Sequence, residues 1–162
     1  MNRAATIRPA VPADAKLVIE LVRELADYER LLHELVADEA MLAQALFGVA
    51  PKVFCDIAEW RGEPVGLALW YYSFSTFAGR HGIYLEDLFV RPAHRGFGLG
   101  KALLAGLAQR CINENLARLE WSVLDWNAPA IDFYTSQGAQ MLDGWTRARI
   151  SDAALARLAG RV

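Results

Sequence analysis

Cysteine is scarce in this sequence: Cys55 and Cys111 are the only two. They have no metal-ligand spacing, and both sit in apolar contexts, one strand-like and one helical. They are expected to pack as small hydrophobes in a reducing compartment, and no metal is expected. Long apolar runs are missing as well. Nothing approaches the roughly 18 residues of a membrane span, and the N-terminus has one Arg but no apolar core of a signal peptide. A cytoplasmic location is therefore expected. Nor does one charge dominate. The net charge is −2, and no Lys/Arg cluster gathers on one helix face, so neither nucleic acid nor an anionic membrane is expected as a partner. Repeats, linkers and low-complexity segments are absent too. What remains is 162 residues, 54% hydrophobic and 22% charged. That is expected to form one domain, residues 1–162, with a substantial core.

Periodicity and breakers give the order of elements. Ala4 to Arg8 reads as a first strand, ended by Pro9 and Pro12. A helix over about Ala13 to Arg30 follows, with Val18, Leu21, Val22 and Leu25 at i, i+3, i+4 and i+7. Asp38 caps a second helix that ends near Phe47. Val53–Trp60 and Val65–Tyr72 read as strands joined by the hairpin signal Arg61-Gly62-Glu63-Pro64. Phe74–Gly82 is expected as a loop and Tyr84–Val90 as the next strand. A third helix carries a core stripe of Leu104, Leu107, Ala108 and Cys111. Gly106 inside it costs about 1 kcal/mol relative to Ala, which predicts a close backbone contact there. Leu119–Leu124 reads as a strand. Asn127 caps a fourth helix that tolerates Pro129 in its first turn and ends at Gly138. Thr146–Ile150 is expected as a last strand, and Ser151 as the cap of a short terminal helix. This order is mixed α/β, without the strict alternation of a doubly wound sheet.

The most informative stretch is Val90–Lys101, V-R-P-A-H-R-G-F-G-L-G-K. Glycines between a strand and a helix leave backbone N–H groups bare, and the helix N-terminus adds its positive end. That suits an anionic group, most often a phosphate. A P-loop would need Gly at position 95 and Ser or Thr at 102, where Arg95 and Ala102 stand. A dinucleotide fingerprint needs G-x-G-x-x-G, but here the last glycine comes one residue early. An ordinary Gly-rich strand–helix turn is the competing explanation.

Three further groups could do chemistry. Glu86 and Asp87 interrupt the apolar strand Tyr-Leu-Glu-Asp-Leu-Phe-Val. Alternation sends them to opposite faces, and burial of at least one should raise its pKa toward that of a general base. A structural role is the favoured reading for Asp87, and for Glu86 the two readings are balanced. Tyr134 shares a helix face with Ala130, Phe133 and Gln137, so it is either a core aromatic or a phenol able to protonate a leaving thiolate. Glu29 continues the core stripe four residues past Leu25, and the alternative is a solvated acid in a frayed last turn. Were Glu29, Glu86 and Asp125 to converge, they would form an anionic mouth for an ammonium group.

The loop Arg95-Gly96-Phe97-Gly98-Leu99-Gly100 resembles the R/Q-x-x-G-x-G/A signature of GCN5-related N-acetyltransferases. Tyr84-Leu85-Glu86-Asp87, that loop, Trp126-Asn127 and Phe133-Tyr134 follow the order seen in the diamine (spermidine/spermine) acetyltransferase branch. Tyr28-Glu29 is similar to that branch's acceptor-binding pair. Val123–Asn127, Ser75-Thr76-Phe77 and Gly79-Arg80 are closer to its thialysine-acetylating relatives. The resemblance implies an α/β acyl-CoA N-acyltransferase fold, a mostly antiparallel sheet splayed at Glu86–Val90 and flanked by helices. It implies acetyl-CoA as co-substrate, a small-molecule amine as acceptor and a homodimer. Leu88, Phe89 and Val90 would contact acetyl-CoA through their backbone, and Arg95, Gly96, Phe97, Gly98, Leu99, Gly100 and Lys101 would hold its pyrophosphate. Asn127, Ala128, Pro129 and Ala130 would line its far side. Tyr134 would donate the proton and Glu86 would act as base. Tyr28, Glu29, Glu86, Glu120, Trp121 and Ser122 would line the acceptor site. Thr76 stands where the polyamine enzymes have an acid, and Glu120 and Trp121 depart from the usual residues.

The expected function is N-acetylation of a primary amine on a small cation by direct attack. The alternative is a non-catalytic acyl-CoA sensor, whose sign would be loss of the acid–base pair with the loop intact. Glu86 and Tyr134 are both present, which favours the enzyme.

Overall fold

A computed structural model describes residues 4–161, which fall into two compact units that divide after Asp125. The first unit is built on a five-stranded sheet in the order β1 (Ala5–Pro9), β2 (Phe54–Trp60), β3 (Glu63–Ser75), β4 (Arg80–Val90) and β5 (Leu119–Trp121). All neighbours are antiparallel except β4 and β5, which run parallel. Helices α1 (Ala15–Tyr28) and α2 (Glu39–Phe47) join β1 to β2, and α3 (Leu99–Asn113) joins β4 to β5. This is the expected mixed α/β, mostly antiparallel arrangement.

One sheet face carries Cys55, Ile57, Leu67, Leu69 and Phe89, which pack with Val18, Leu21, Leu25 and Leu46 of α1 and α2 into a continuous core. The opposite face meets α3, whose Arg110 lies 4.9 Å over the Trp70 ring. The α3 stripe is Leu99, Leu103, Leu104, Leu107 and Cys111, while Ala108 is exposed. A Cβ at Gly106 would meet no atom within 4 Å, so the close contact expected there does not exist. Gly106→Ala should therefore raise stability by about 1 kcal/mol, read as a higher Tm. An unchanged or lower Tm would show that the glycine has a purpose the packing does not reveal. Both cysteines are free and buried, and desolvation pushes both thiol pKa values up.

The turns show where local chemistry was decisive. Asp38 Oδ1 accepts from Met41 N–H at 2.8 Å, capping α2 as expected. The β2–β3 hairpin closes on Arg61 (φ 53°) and Gly62 (φ 84°), a two-residue turn with both angles positive, so β3 starts at Glu63 rather than Val65. The loop expected over Phe74–Gly82 is mostly strand. β3 runs to Ser75 and β4 starts at Arg80, because Ser75 Oγ accepts from Ala78 N–H (3.2 Å) and closes a tight turn. β1 is shifted one residue from the expected Ala4–Arg8, and α1 is shorter than Ala13–Arg30, since a 3₁₀ turn over Pro12–Asp14 precedes it and Glu29 caps it.

β5 ends at Trp121, not Leu124. The Arg8 guanidinium bridges Asp14 and Glu59, each at 2.6 Å, and ties β1 to β2 and the start of α1. It holds the Asp14 and Glu59 carboxyl groups below their ordinary range.

The second unit holds α4 (Ala128–Ser136) and α5 (Asp152–Leu158). Asn127 caps α4, accepting from Ala130 N–H at 3.3 Å with Pro129 in the first turn. Gly138 (φ 92°) follows the helix end, and its N–H and that of Ala139 donate to Thr135 and Tyr134 carbonyls. Thr146–Ile150 is not a strand: these residues are exposed, and no strand of the described residues pairs with them. Ser151 stands at the N-cap of α5 without a side-chain cap bond.

Candidate active site

β4 is the axis of the site. Against β3 its register runs Trp70↔Leu85 and then Leu69↔Asp87, so Glu86 is an extra, unpaired residue in a β-bulge. The bulge overrides simple alternation. Leu85 shares a face with Trp70, and Asp87 shares the α1-side face with Leu69. Against β5 the pairing covers only Ile83, Tyr84 and Leu85. From Glu86 to Val90 the outer edge of β4 has no β5 partner. That is the local splay the sequence resemblance implied.

Glu86 forms the bulge and Asp87 follows it, and burial, expected of at least one of them, falls on Asp87. Glu86 is exposed. Asp87 is only partly exposed, and desolvation, with the Glu86 and Glu29 charges adding, raises its pKa to about 7. The argument that burial tunes a carboxylate for proton transfer therefore applies to Asp87. Glu29, at the C-cap of α1, is half-buried and its pKa is raised by desolvation, matching its expected inward lean. Asp125 is exposed. The Glu86 and Glu29 charges both act on Asp87, which brings these three acids together. Nearby, the Tyr84 hydroxyl and Ser122 Oγ lie 2.7 Å apart and the Tyr71 and Tyr84 rings pack at 5.3 Å. Trp121 is opposite Leu85, and Glu120 forms an ion pair with Arg118 Nε at 2.8 Å.

β4 delivers the chain through a 3₁₀ turn, Pro92–His94, into the glycine loop. Gly96 (φ 82°) and Gly98 (φ 85°) both need the left-handed conformation, and a Cβ on either would meet no atom within 4 Å. Gly98 is the N-cap of α3, and the first helical bond runs from Ala102 N–H to the Gly98 carbonyl at 2.9 Å. The N–H groups of Leu99, Gly100 and Lys101 thus have no intrahelical acceptor. The Leu99 side chain is buried and locks the helix to the core, so only its backbone is available. Bare N–H groups at a helix N-terminus, with open space beside both glycines, suit an anionic group such as a phosphate. Leu88, Phe89 and Val90 pair with Ala68, Leu67 and Gly66, with Phe89 buried and Leu88 part-exposed.

Two loop side chains are already engaged. The Arg95 guanidinium lies 4.5 Å over the Tyr28 ring and its Nε donates to the Val90 carbonyl at 2.9 Å. Phe97 stacks on Trp60 at 4.6 Å, a contact outside every motif in the sequence. In the second unit Tyr134 is buried on α4, its ring 5.3 Å from that of Phe133, and Asn127 is buried at the helix start while Ala128 and Pro129 are exposed and Ala130 is half-buried.

The β4 edge that lacks a β5 partner leads through a short turn into a glycine-rich helix N-terminus, with carboxylates at its start, the arrangement the resemblance implied for an acyltransferase. Sequence comparison gives the family. Residues 18–139 match the acetyltransferase (GNAT) family, and the chain belongs to it. It is 39% identical to the thialysine N-epsilon-acetyltransferase of Bos taurus over 96% of this chain and 97% of that protein. It is 29% identical to an L-ornithine N5-acetyltransferase of Arabidopsis thaliana over 92% and 85% of the respective chains. Among solved structures, an integron cassette protein from the mobile metagenome of V. cholerae superposes with a TM-score of 0.80. It is 28% identical, with 98% of this chain and 99% of that one covered. The protein is an N-acetyltransferase of the diamine and thialysine branch.

Proposed function

We propose that the protein transfers an acetyl group from acetyl-CoA to the primary amine of a small cationic acceptor, a lysine analogue such as thialysine ahead of a diamine or polyamine. The observation that carries this is the unpaired edge of β4, with the acids Glu86 and Asp87 at one end and the glycine loop beyond the other. The loop residues Gly96–Lys101 hold the pyrophosphate, and the backbone of Leu88–Val90 holds the chain that bears the acyl group. Asn127–Ala130 complete the cofactor contacts in this reading. Acetyl-CoA supplies an activated thioester. An alkylamine with a pKa of about 10.4 is protonated at neutral pH and must lose a proton before it attacks. Glu29 and Glu86 attract the ammonium. Asp87, poised near neutrality, takes the proton directly or through Glu86, and Tyr134 protonates the departing thiolate. Tyr28, Trp121 and Ser122 line the acceptor mouth, and Glu120 shapes it through Arg118. Thr76 is exposed in the β3–β4 turn, where an acid would serve the far ammonium of a long polyamine. This favours shorter, lysine-like amines.

The protein is proposed to act in the cytoplasm as a homodimer, as one N-acetyltransferase domain over residues 1–162, without metal, nucleic acid or membrane. No helix among the described residues is long and apolar enough to cross a membrane. Sedimentation of the protein at micromolar concentration reads the oligomeric state.

Turnover of thialysine, diamines, amino acids and neutral amines with acetyl-CoA, followed by thiol release, tests the reading. Cationic primary amines should dominate, and equal efficiency on neutral or anionic amines would refute it. Glu29→Gln should raise KM for thialysine more than it lowers kcat, because its attraction acts in ground and transition states alike. An unchanged KM removes Glu29 from the mouth. Gly98→Ala should leave the protein folded but weaken acetyl-CoA binding. The left-handed conformation costs an L residue about 1–2 kcal/mol, so a loop that relaxes when empty must recover that strain on binding, an expected loss of about 5- to 30-fold. Calorimetry showing unchanged affinity would remove the loop from the cofactor site.

A further inference from the structure

Gly96 is flanked by two side chains that are anchored to different elements. Arg95 lies 4.5 Å over Tyr28 at the end of α1 and 5.7 Å from the Phe89 ring, with its Nε on the Val90 carbonyl. Phe97 stacks on Trp60 at the end of β2, with an interplanar angle of 18°. Between and beyond them, Gly96 and Gly98 have open space around them. The backbone that would hold a pyrophosphate is thus set largely by these two anchors. One anchor rests on Tyr28, whose neighbour Glu29 is the half-buried acid that perturbs Asp87.

We propose that Arg95 is a positioning residue that couples the two substrate sites, so that a CoA pyrophosphate on the glycine loop raises the affinity for the cationic amine at Tyr28-Glu29, and the amine raises the affinity for CoA in return. The inference rests on the proposed assignment of those two sites. Two effects act in the same direction. A ligand on the loop N–H groups fixes the backbone on the C-terminal side of Arg95, which holds the guanidinium, and with it Tyr28, in one place. The pyrophosphate also offsets the positive charge of Arg95, which sits beside the acceptor mouth and otherwise repels an incoming ammonium. Phe97 on Trp60 holds the other side of Gly96, so the adjustment is directed toward α1. Equilibrium coupling is reciprocal by necessity.

Calorimetry of thialysine binding with and without saturating CoA, which cannot transfer an acyl group, measures the coupling directly. CoA should tighten thialysine binding by about 5-fold or more. In Arg95→Gln, which keeps a hydrogen-bond donor but loses the charge and the stack, the factor should fall to within about 2-fold of unity. Tyr28→Phe, which keeps the ring face, should retain the coupling, and Tyr28→Leu should lose it. This pair decides the matter should Arg95→Gln not fold. A coupling factor of one in the unaltered protein, or full coupling in Arg95→Gln or Tyr28→Leu, overturns the proposal. If thialysine and diamines are acetylated but uncoupled, this inference alone falls. If no cationic amine binds or reacts, the proposed function falls with it.

Discussion

Tyr134→Phe should lower turnover by about 10²- to 10⁴-fold, the usual contribution of a positioned general acid, while acetyl-CoA still binds. Tyr134 is buried at 8% exposure on α4, with its ring against Phe133. Phenylalanine keeps that packing and removes only the hydroxyl, so a stability loss near 1 kcal/mol is the most that should accompany the change. The size of the kinetic effect separates the two roles a buried tyrosine can have. A core aromatic would cost Tm and leave kcat intact, whereas a proton donor would do the reverse. The check is single-turnover acetyl transfer, which isolates chemistry from product release. A Phe variant with unaltered single-turnover rate returns Tyr134 to the core and leaves the thiolate to be protonated by water.

Replacing Asp87 with asparagine should have an effect of opposite sign on stability and on rate. The Asp87 pKa is raised from 3.8 to about 7 in the folded protein. Between those values the native state binds more protons than the unfolded chain, so stability falls as pH rises through this window. At about 1.4 kcal/mol per unit, the charged Asp87 costs at most about 4 kcal/mol above pH 7. An asparagine amide must itself be desolvated, so Asp87→Asn should be more stable by about 2 kcal/mol at pH 8 and by almost nothing at pH 4. Turnover should fall sharply, and the acid limb of the pH–rate profile near 7 should disappear. Glu86→Gln, at the exposed position, should keep that limb and raise KM for the amine. Equal stabilisation at both pH values, or a limb that survives Asp87→Asn and vanishes in Glu86→Gln, would hand the proton back to Glu86.

The contrast between these two acids shows what the sequence could and could not disclose. Features that depend on a few neighbouring residues were legible. The glycine loop, the Asp38 and Asn127 caps and Gly138 beyond α4 all stand where local chemistry put them. The Glu86 bulge was not legible, because it exists only in the register with Leu69 and Trp70. No signal in Tyr84–Val90 itself distinguishes a bulged strand from a regular one. Thr146–Ile150 failed for a related reason. Its composition suits a strand, but a strand needs a partner for its backbone groups, and none of the described residues provides one. The β3–β4 connection is shorter than its composition suggests, because Ser75 Oγ and the left-handed Gly79 close a tight turn inside a run that reads as polar loop. The Trp60–Phe97 stack leaves no spacing to read, because its partners lie far apart in sequence.

The two buried thiols have a practical consequence for every measurement suggested above. Released CoA is conveniently trapped by an aromatic disulfide that reacts with thiolates. Cys55 and Cys111 are both buried, and both thiol pKa values are shifted upward, so neither offers the reagent an accessible thiolate while the chain is folded. The colour that develops during turnover therefore belongs to the reaction. The same reagent added after denaturant should report two further equivalents per chain, which makes the enzyme its own gauge of how much folded protein each variant contains.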